Sequence, residues 1–312
     1  MSLTEALSGL ESQFPLQFFL LEDSIIIQHK EADSFSNQVL SEVLLSQYLA
    51  KGVSLNKDRS VTIKPKGFNI IPGLSEPNVL ASVKSLPGIS STDEFVTNLN
   101  IRGGTNDQNL ILWDGIKMCQ SGHFFGMISA FDPYIIHKIN VIKNGTSTKL
   151  GDRVSGRIEM MLYQEPNDKV DGSAGFNLIA GSALVKTPLS KKITLQISAR
   201  RSNTDLIETA TYSQYFDRVF QDTEVTNSDN VADRSVINNQ KFFFYDISGK
   251  LLFDLSKKDK LSASFISINN EFNFLEPAEN TLLNQALERG LKQQNNAGSL
   301  RYKRQWSPRY NT

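Results

Sequence analysis

Cysteine is nearly absent from this chain of 312 residues: Cys119 stands alone, so no internal disulfide can form. Histidine is scarce too, and His29, His123 and His137 with that one thiol make no set with zinc-ligand spacing. No transition-metal chemistry and no cofactor are expected. Cys119 lies two residues after Lys117, a setting for a reactive thiol, but an idle small residue is the commoner case. Excess charge is missing as well. Lys+Arg and Asp+Glu both number 33, and no stretch gathers the basic footprint that phosphate backbones require, so nucleic acid is not an expected partner. No apolar run reaches the roughly 20 residues of a membrane helix. The opening Met1-Ser2-Leu3-Thr4-Glu5 lacks a basic, apolar leader, which fits either a cytoplasmic chain or one whose true amino terminus lies upstream.

The length is enough for about two domains with sizeable cores. The first segment reads as a small α/β module. Thr4 can cap a helix carrying Ala6, Leu7 and Leu10, and Phe14 to Leu20 and Ser24 to Gln28 are apolar enough for strands. A second helix is expected from about Ser36, carrying Val39, Leu40, Val43, Leu44 and Tyr48, with Gly52 stopping it. Val53-Ser54-Leu55 and Val61-Thr62-Ile63 then flank a turn and spell a hairpin. The stretch "KPKGFNIIPGLS" has no period and reads as a connection.

Beyond it, Ser75 offers an N-cap and Pro77 a first turn for a short helix ended by Leu86-Pro87-Gly88. Short strands follow at Leu99 to Arg102, Leu110 to Trp113, Ile139 to Ile142 and Gly156 to Leu162, with one more helix capped by Asp132 before the third. After Tyr163 the texture becomes two-residue alternation. Segments at about Gly172 to Val185, Ile193 to Arg201, Phe242 to Leu255, Lys260 to Phe274 and Asn296 to Trp306 approach or exceed the ~9–11 residues that cross a bilayer obliquely. Their connections are tight at Pro188 to Lys192 and Ser256 to Asp259, but long and polar at Asn203 to Gln240 and Glu276 to Gln294. Short turns on one side and long loops on the other is the layout of an outer-membrane barrel; a soluble sandwich with two long loops is the plainer alternative.

The run "NLNIRGGTNDQNLILWDGIKM", preceded by "VLASVKSLPGIS" and followed by "PYIIHKINVIKNGTSTKLGDRVSGRIEM", resembles the plug domain of TonB-dependent outer-membrane receptors, particularly those of Bacteroidota. The likeness covers Pro77 to Tyr163. The amino-terminal part resembles the short N-terminal signalling domain shared by secretins and TonB-dependent receptors. The fold class implied is α+β: an α/β signalling module over 1–64, a linker over 65–76, a mixed plug over 77–163, and over 164–312 the antiparallel first strands of an incomplete transmembrane β-barrel. Five strands cannot close a barrel, so a chain truncated at both ends is expected.

The resemblance implies a receptor of the bacterial outer membrane, with its amino-terminal module in the periplasm, rather than an enzyme. Its partners would be membrane lipid, a small nutrient such as an iron-siderophore or a glycan-derived compound, the TonB energy-coupling protein and, through residues 1–64, an anti-sigma factor. A strand-adding TonB segment is best matched by Phe68-Asn69-Ile70-Ile71. "RGGTNDQ" lacks the lysine and spacing of a phosphate loop. Gly103 and Gly104 instead permit positive φ or close backbone approach where plug and barrel wall meet. Arg102 suits either an anion or a barrel-wall carboxylate. Asp114-Gly115 has a turn signature, and no second carboxylate or histidine stands where a catalytic acid would need it. The loop "QSGHFFGM" offers Gln120, Ser121, His123, Phe124 and Phe125 as ligand contacts, with packing of the two phenylalanines against a barrel as the alternative.

Overall fold

The computed structural model describes residues 3–14, 16–21, 24–29, 47–68, 71, 74, 77–93, 95–143, 145, 148, 150–151, 154–166, 168–207, 209–220, 241–276, 287–307 and 310–311. The chain divides into two units, Met1–Leu45 and Ser46–Thr312. In the first, helix α1 (Leu3–Gln13) leads into the antiparallel hairpin of β1 (Leu16–Leu21) and β2 (Ser24–His29), with Leu16 opposite His29. Glu11 ties helix to hairpin, its Oε1 accepting the Phe18 amide at 2.8 Å. Most of the second helix expected from Ser36 lies outside the described residues, and its expected last turn is not helical: Tyr48 belongs to strand β3 (Gln47–Ala50).

The second unit opens with β3, β4 (Val53–Leu55) and β5 (Val61–Ile63), the last two forming the expected hairpin, followed by a single turn of helix, α2 (Pro65–Phe68). Helix α3 (Val79–Lys84) starts from Asn78, whose Oδ1 accepts the Ala81 amide at 3.0 Å, so the cap lies three residues beyond Ser75. Then come β6 (Ile89–Ser90), β7 (Asn100–Ile101), β8 (Leu110–Trp113), β9 (Ile116–Lys117), β10 (Gly122–His123), β11 (Ile128–Ser129), β12 (Ile136–Ile142) and β13 (Arg157–Leu162). One seven-stranded mixed sheet runs in the order β3-β4-β5-β12-β13-β8-β9, with β13 and β8 parallel. It crosses the boundary expected at residue 64. Val61 pairs with Val141 and Ile63 with Ile139. The reason is burial: Val53, Val61 and Ile63 are wholly enclosed, and they find that cover in one core with Leu80, Trp113, Ile139 and Ile158. The helix expected after Asp132 is a turn, because its Oδ1 takes the Tyr134 amide at 2.9 Å and Oδ2 takes the Ser198 hydroxyl.

The remaining strands form an antiparallel wall: β14 (Asp171–Phe176), β15 (Ala180–Ser190), β16 (Ile193–Ser202), β17 (Lys241–Asp254), β18 (Asp259–Glu276), β19 (Leu287–Ser307) and β20 (Tyr310–Asn311), in sequence order. The segment expected as one strand from Gly172 to Val185 is two, folded at Asn177, whose Oδ1 accepts the Ile179 and Ala180 amides. The loop expected from Glu276 to Gln294 is shorter, since β18 runs to Glu276 and β19 starts at Leu287. The loop after Asn203 carries a helix, α4 (Ala210–Phe220). The wall is inverted relative to a soluble sheet. Thr194, Gln196, Ser198, Arg200 and Ser202 are buried on one face of β16, as are Asp246, Ser248 and Lys250 on β17, while Ile197, Ile247, Phe265 and Leu300 stand exposed on the other. Polar-in and apolar-out is the pattern of a strand with protein or water on one side and lipid on the other. Outward aromatics bracket the apolar band, Tyr245 at one end and Trp306 and Tyr302 at the other.

Candidate functional site

Two buried polar clusters and a cavity join the plug to the wall. The first grows from the β8–β9 hairpin. Trp113 pairs with Ile116, leaving a two-residue turn in which Asp114 has φ 46° and Gly115 φ 85°. Both central residues are left-handed, as in the tight turn that Asp-Gly favours. Asp114 is nonetheless more than a turn residue. Lys250 Nζ lies 2.8 Å from its Oδ2 and 3.0 Å from its Oδ1, Gln164 Nε2 donates to Oδ1 at 2.9 Å, and the Ser264 hydroxyl donates to Oδ2. Arg301 Nη2 also donates to the Asp114 carbonyl at 2.8 Å, through space that a Cβ on Gly115 would occupy. Burial alone would raise the Asp114 carboxyl. The Lys250 ammonium, the Ser264 hydroxyl and the Arg301 charge together outweigh it and hold the group below its ordinary value. With both oxygens engaged, this carboxylate is a structural anchor.

The second cluster centres on Asp246 of β17. Arg200 donates to its Oδ2 through Nε at 2.9 Å and Nη2 at 2.6 Å, and through Nη2 to the Ser129 carbonyl of the plug at 2.7 Å. His123 Nε2 is 2.9 Å from Asp246 Oδ2, and its Nδ1 is 2.5 Å from Asn270 Oδ1 on β18. The ring stacks on Phe244 at 4.2 Å. His123 is 0% exposed, which corrects the expectation of a ligand-facing histidine. Its ring fastens the plug loop to the wall.

The loop beyond His123 then turns through the left-handed region at Phe124 (φ 49°) and Phe125 (φ 56°) before Gly126 (φ 102°). Two bulky residues in that region are strained, and such strain gathers at functional positions. The consequence is that the rings part. Phe124 is buried edge-on against Phe242, 4.4 Å between centroids, in an aromatic cluster with Tyr212 of α4, whereas Phe125 is 47% exposed. Phe125 opens on a cavity of about 250 Å³ that it lines with Phe242, Phe272, Gln120, Asn270 and Gln293, and with Thr97 and Ser121. Gln120 is 9% exposed, and among the described residues its Nε2 has no hydrogen-bond partner.

Of the residues singled out in the sequence, Gln120, Ser121, Phe124 and Phe125 therefore share the cavity and His123 does not. Arg102 is exposed with φ 49°, and its amide donates to the Gly88 carbonyl at 3.0 Å. One ion pair between plug and wall joins a plug carboxylate, Asp114, to a wall lysine, Lys250. Gly104 sits against Ser155, whose hydroxyl donates to the Ile101 carbonyl at 2.9 Å, so close backbone approach is within the plug. Phe68 ends a helical turn instead of extending as a strand would, and Asn69 and Ile70 lie outside the described residues. Lys250, Ser264, Arg301, Arg200, Asp246 and Asn270 were not singled out. Their signal was the polar half of the two-residue alternation, which marks an inner face without saying what meets it.

Residues 72–156 match the family described as TonB-dependent Receptor Plug Domain. No curated protein matches the chain. Among solved structures, FpvA of Pseudomonas aeruginosa in complex with a pyoverdine and iron is similar with TM-score 0.51 and 13% identity, over 99% of this chain and 40% of that one. The siderophore receptor PirA from Acinetobacter baumannii gives TM-score 0.50 and 14% identity, over 80% of this chain and 38% of its own. The chain thus spans about two fifths of the length of these receptors, and the likeness is one of fold. In residues 72–156 this chain carries the plug domain of a TonB-dependent receptor, seated against strands that share the fold of such a receptor's barrel wall.

Proposed function

We propose that the protein acts as a ligand-gated receptor of the outer membrane, taking a small nutrient at the cavity between the plug loop and the wall. The observation that carries this reading is the pairing of a polar buried wall face with a plug loop that bears an exposed aromatic, Phe125, beside Gln120, whose amide nitrogen is unpartnered among the described residues. Gln120, Ser121, Phe124 and Phe125 are the proposed contacts. The tight turns at Lys191-Lys192 and Ser256 to Lys258 lie at the opposite end of the strands from Phe125, which puts the cavity on the extracellular side if the turns face the periplasm. FpvA is seen with a pyoverdine and iron, and PirA is a siderophore receptor, so ferric siderophores are the first nutrients to test.

Import would draw on TonB engaging the periplasmic side, with Phe68 to Ile71 as the candidate segment. Residues 1–64 are proposed as a signalling module reporting to an anti-sigma factor, with 65–76 as linker, 77–163 as plug and 164–312 as wall. Hydrogen exchange of the chain in isolated outer membranes tests the reading. A bound ferric siderophore or other nutrient should slow exchange across residues 120–126. A chain that fractionates away from the outer membrane, or whose exchange no nutrient alters, would rule the receptor out.

A further inference from the structure

Tyr163, the residue after β13, marks a further junction of plug and wall, where its carbonyl accepts Gln196 Nε2 of β16 at 3.2 Å. Lys186 of β15 lies directly across from Gln196, toward the tight turn at Lys191-Lys192 and away from the Phe125 cavity. Three basic groups converge on the Tyr163 ring. Lys186 Nζ stands over it at 3.3 Å from the centroid, Lys66 Nζ of α2 is 5.8 Å away, and the His137 imidazole of β12 lies at 4.3 Å, tilted by 45°. Among the described residues none of the three side chains makes a hydrogen bond or an ion pair.

Lys186 is 4% exposed, and its Nζ is not one of the fully enclosed side-chain atoms. Asp171 stands across from it on β14 but makes no ion pair with it. A ring face attracts a cation without replacing a counter-ion, so an enclosed ammonium held only by a ring keeps much of its desolvation cost. The same imbalance acts on His137. Burial, followed by the charges of Lys138, Lys64 and Lys186, holds its imidazole below the ordinary value against the opposing pull of Glu165.

We propose that Tyr163 floors an anion site in which Lys66, Lys186 and His137 hold a tetrahedral oxyanion, a phosphate group. Ammonium groups act as point charges that such an anion meets from several sides, whereas a planar carboxylate is matched best by the fork of an arginine, which these three residues do not supply. Free phosphate and the phosphate of a lipid headgroup share this chemistry. The inference rests on the groups around Tyr163 and is independent of the nutrient site.

Titration calorimetry and thermal unfolding of the full chain in uncharged detergent micelles test it, with inorganic phosphate, sulfate and acetate as probes. Phosphate and sulfate should bind one per chain, at least tenfold more tightly than acetate, and should raise the melting temperature. Sulfate does not titrate near neutral pH, so proton uptake on its binding, read from heats in buffers of different ionisation enthalpy, reports His137. His137→Gln should abolish that uptake while leaving weaker binding. Lys186→Met should weaken both anions at least tenfold and raise the melting temperature of the anion-free chain, because it removes an enclosed charge without a counter-ion. Lys66→Gln, at an exposed position, should weaken both severalfold with the fold intact. A melting temperature raised by phosphatidylglycerol over phosphatidylcholine vesicles, dependent on Lys186 and without any effect of free phosphate, assigns the group to a lipid headgroup. Acetate binding as tightly as phosphate, binding that neither lysine substitution weakens, or no response to free anions and vesicles alike would overturn the site, and each leaves the receptor reading standing.

Discussion

At the scale of single residues, Asp114 decides how the plug is held. Lys250 is fully buried against it, so Lys250→Met would leave a carboxylate enclosed without its counter-ion and should cost about 3–5 kcal/mol in denaturant unfolding followed through Trp113. Asp114→Asn combined with Lys250→Met removes both charges and should recover most of that loss. The acid dependence follows from the same group. Its folded pKa lies below the unfolded value of about 3.9, so its contribution is complete above that pH and fades as pH falls through the lowered folded value. Docking of the plug should therefore persist at pH 5 and weaken only below about pH 4, and the part of this acid step that belongs to Asp114 should vanish in Asp114→Asn. Gly115→Ala meets two obstacles at once, a φ of 85° and the Arg301 guanidinium, and should destabilise by more than ~1 kcal/mol. Asp-Gly in the sequence announced the turn, because few residues accept that backbone. It could not announce Arg301, which lies 187 positions away.

At the scale of elements, the wall strands set what each face tolerates. Phe265 points outward from β18 between Ala263 and Ser267, on the face opposite Ser264 and Ile266. Phe265→Arg should cost ~2–4 kcal/mol when the chain is refolded into lipid vesicles, if that face meets lipid at mid-depth, whereas the same change in detergent should be milder. Alternation in β16 and β17 was legible because a strand must turn successive residues to opposite sides. The break at Asn177 was not, since Gly172 to Val185 contains no proline and its asparagine acts through a local bond to two amides. The short helix expected at Asp132 failed for a similar reason. A residue that caps a helix can equally close a turn, and the Ser198 hydroxyl on the wall favours the turn.

At the scale of the whole molecule, one sheet takes strands from both sides of residue 64. Removing residues 1–45 should leave the plug's melting temperature nearly unchanged, because β3, β4 and β5 stay on the sheet. Removing residues 1–64 takes away Val53, Val61 and Ile63 and bares the edge of β12, and should lower it by several degrees in a thermal scan. If the signalling proposal holds, the shorter deletion should abolish induction of uptake genes while leaving ligand affinity intact. A cut at residue 64 would confuse loss of signalling with loss of fold.

By itself the sequence determined the local geometry: the Asp114-Gly115 turn, the β4–β5 hairpin, the two-residue rhythm of the wall and the plug motifs along residues 77–163. Those depend on backbone preference and on side-chain period, which are properties of neighbours in the chain. Only the tertiary structure decided which polar wall residues meet the plug, that His123 is a fastening and Phe125 the exposed ring, and that the plug's sheet begins before residue 64. Each of these is a contact between segments tens to hundreds of residues apart, and burial and charge neutralisation choose such partners only once the segments lie side by side.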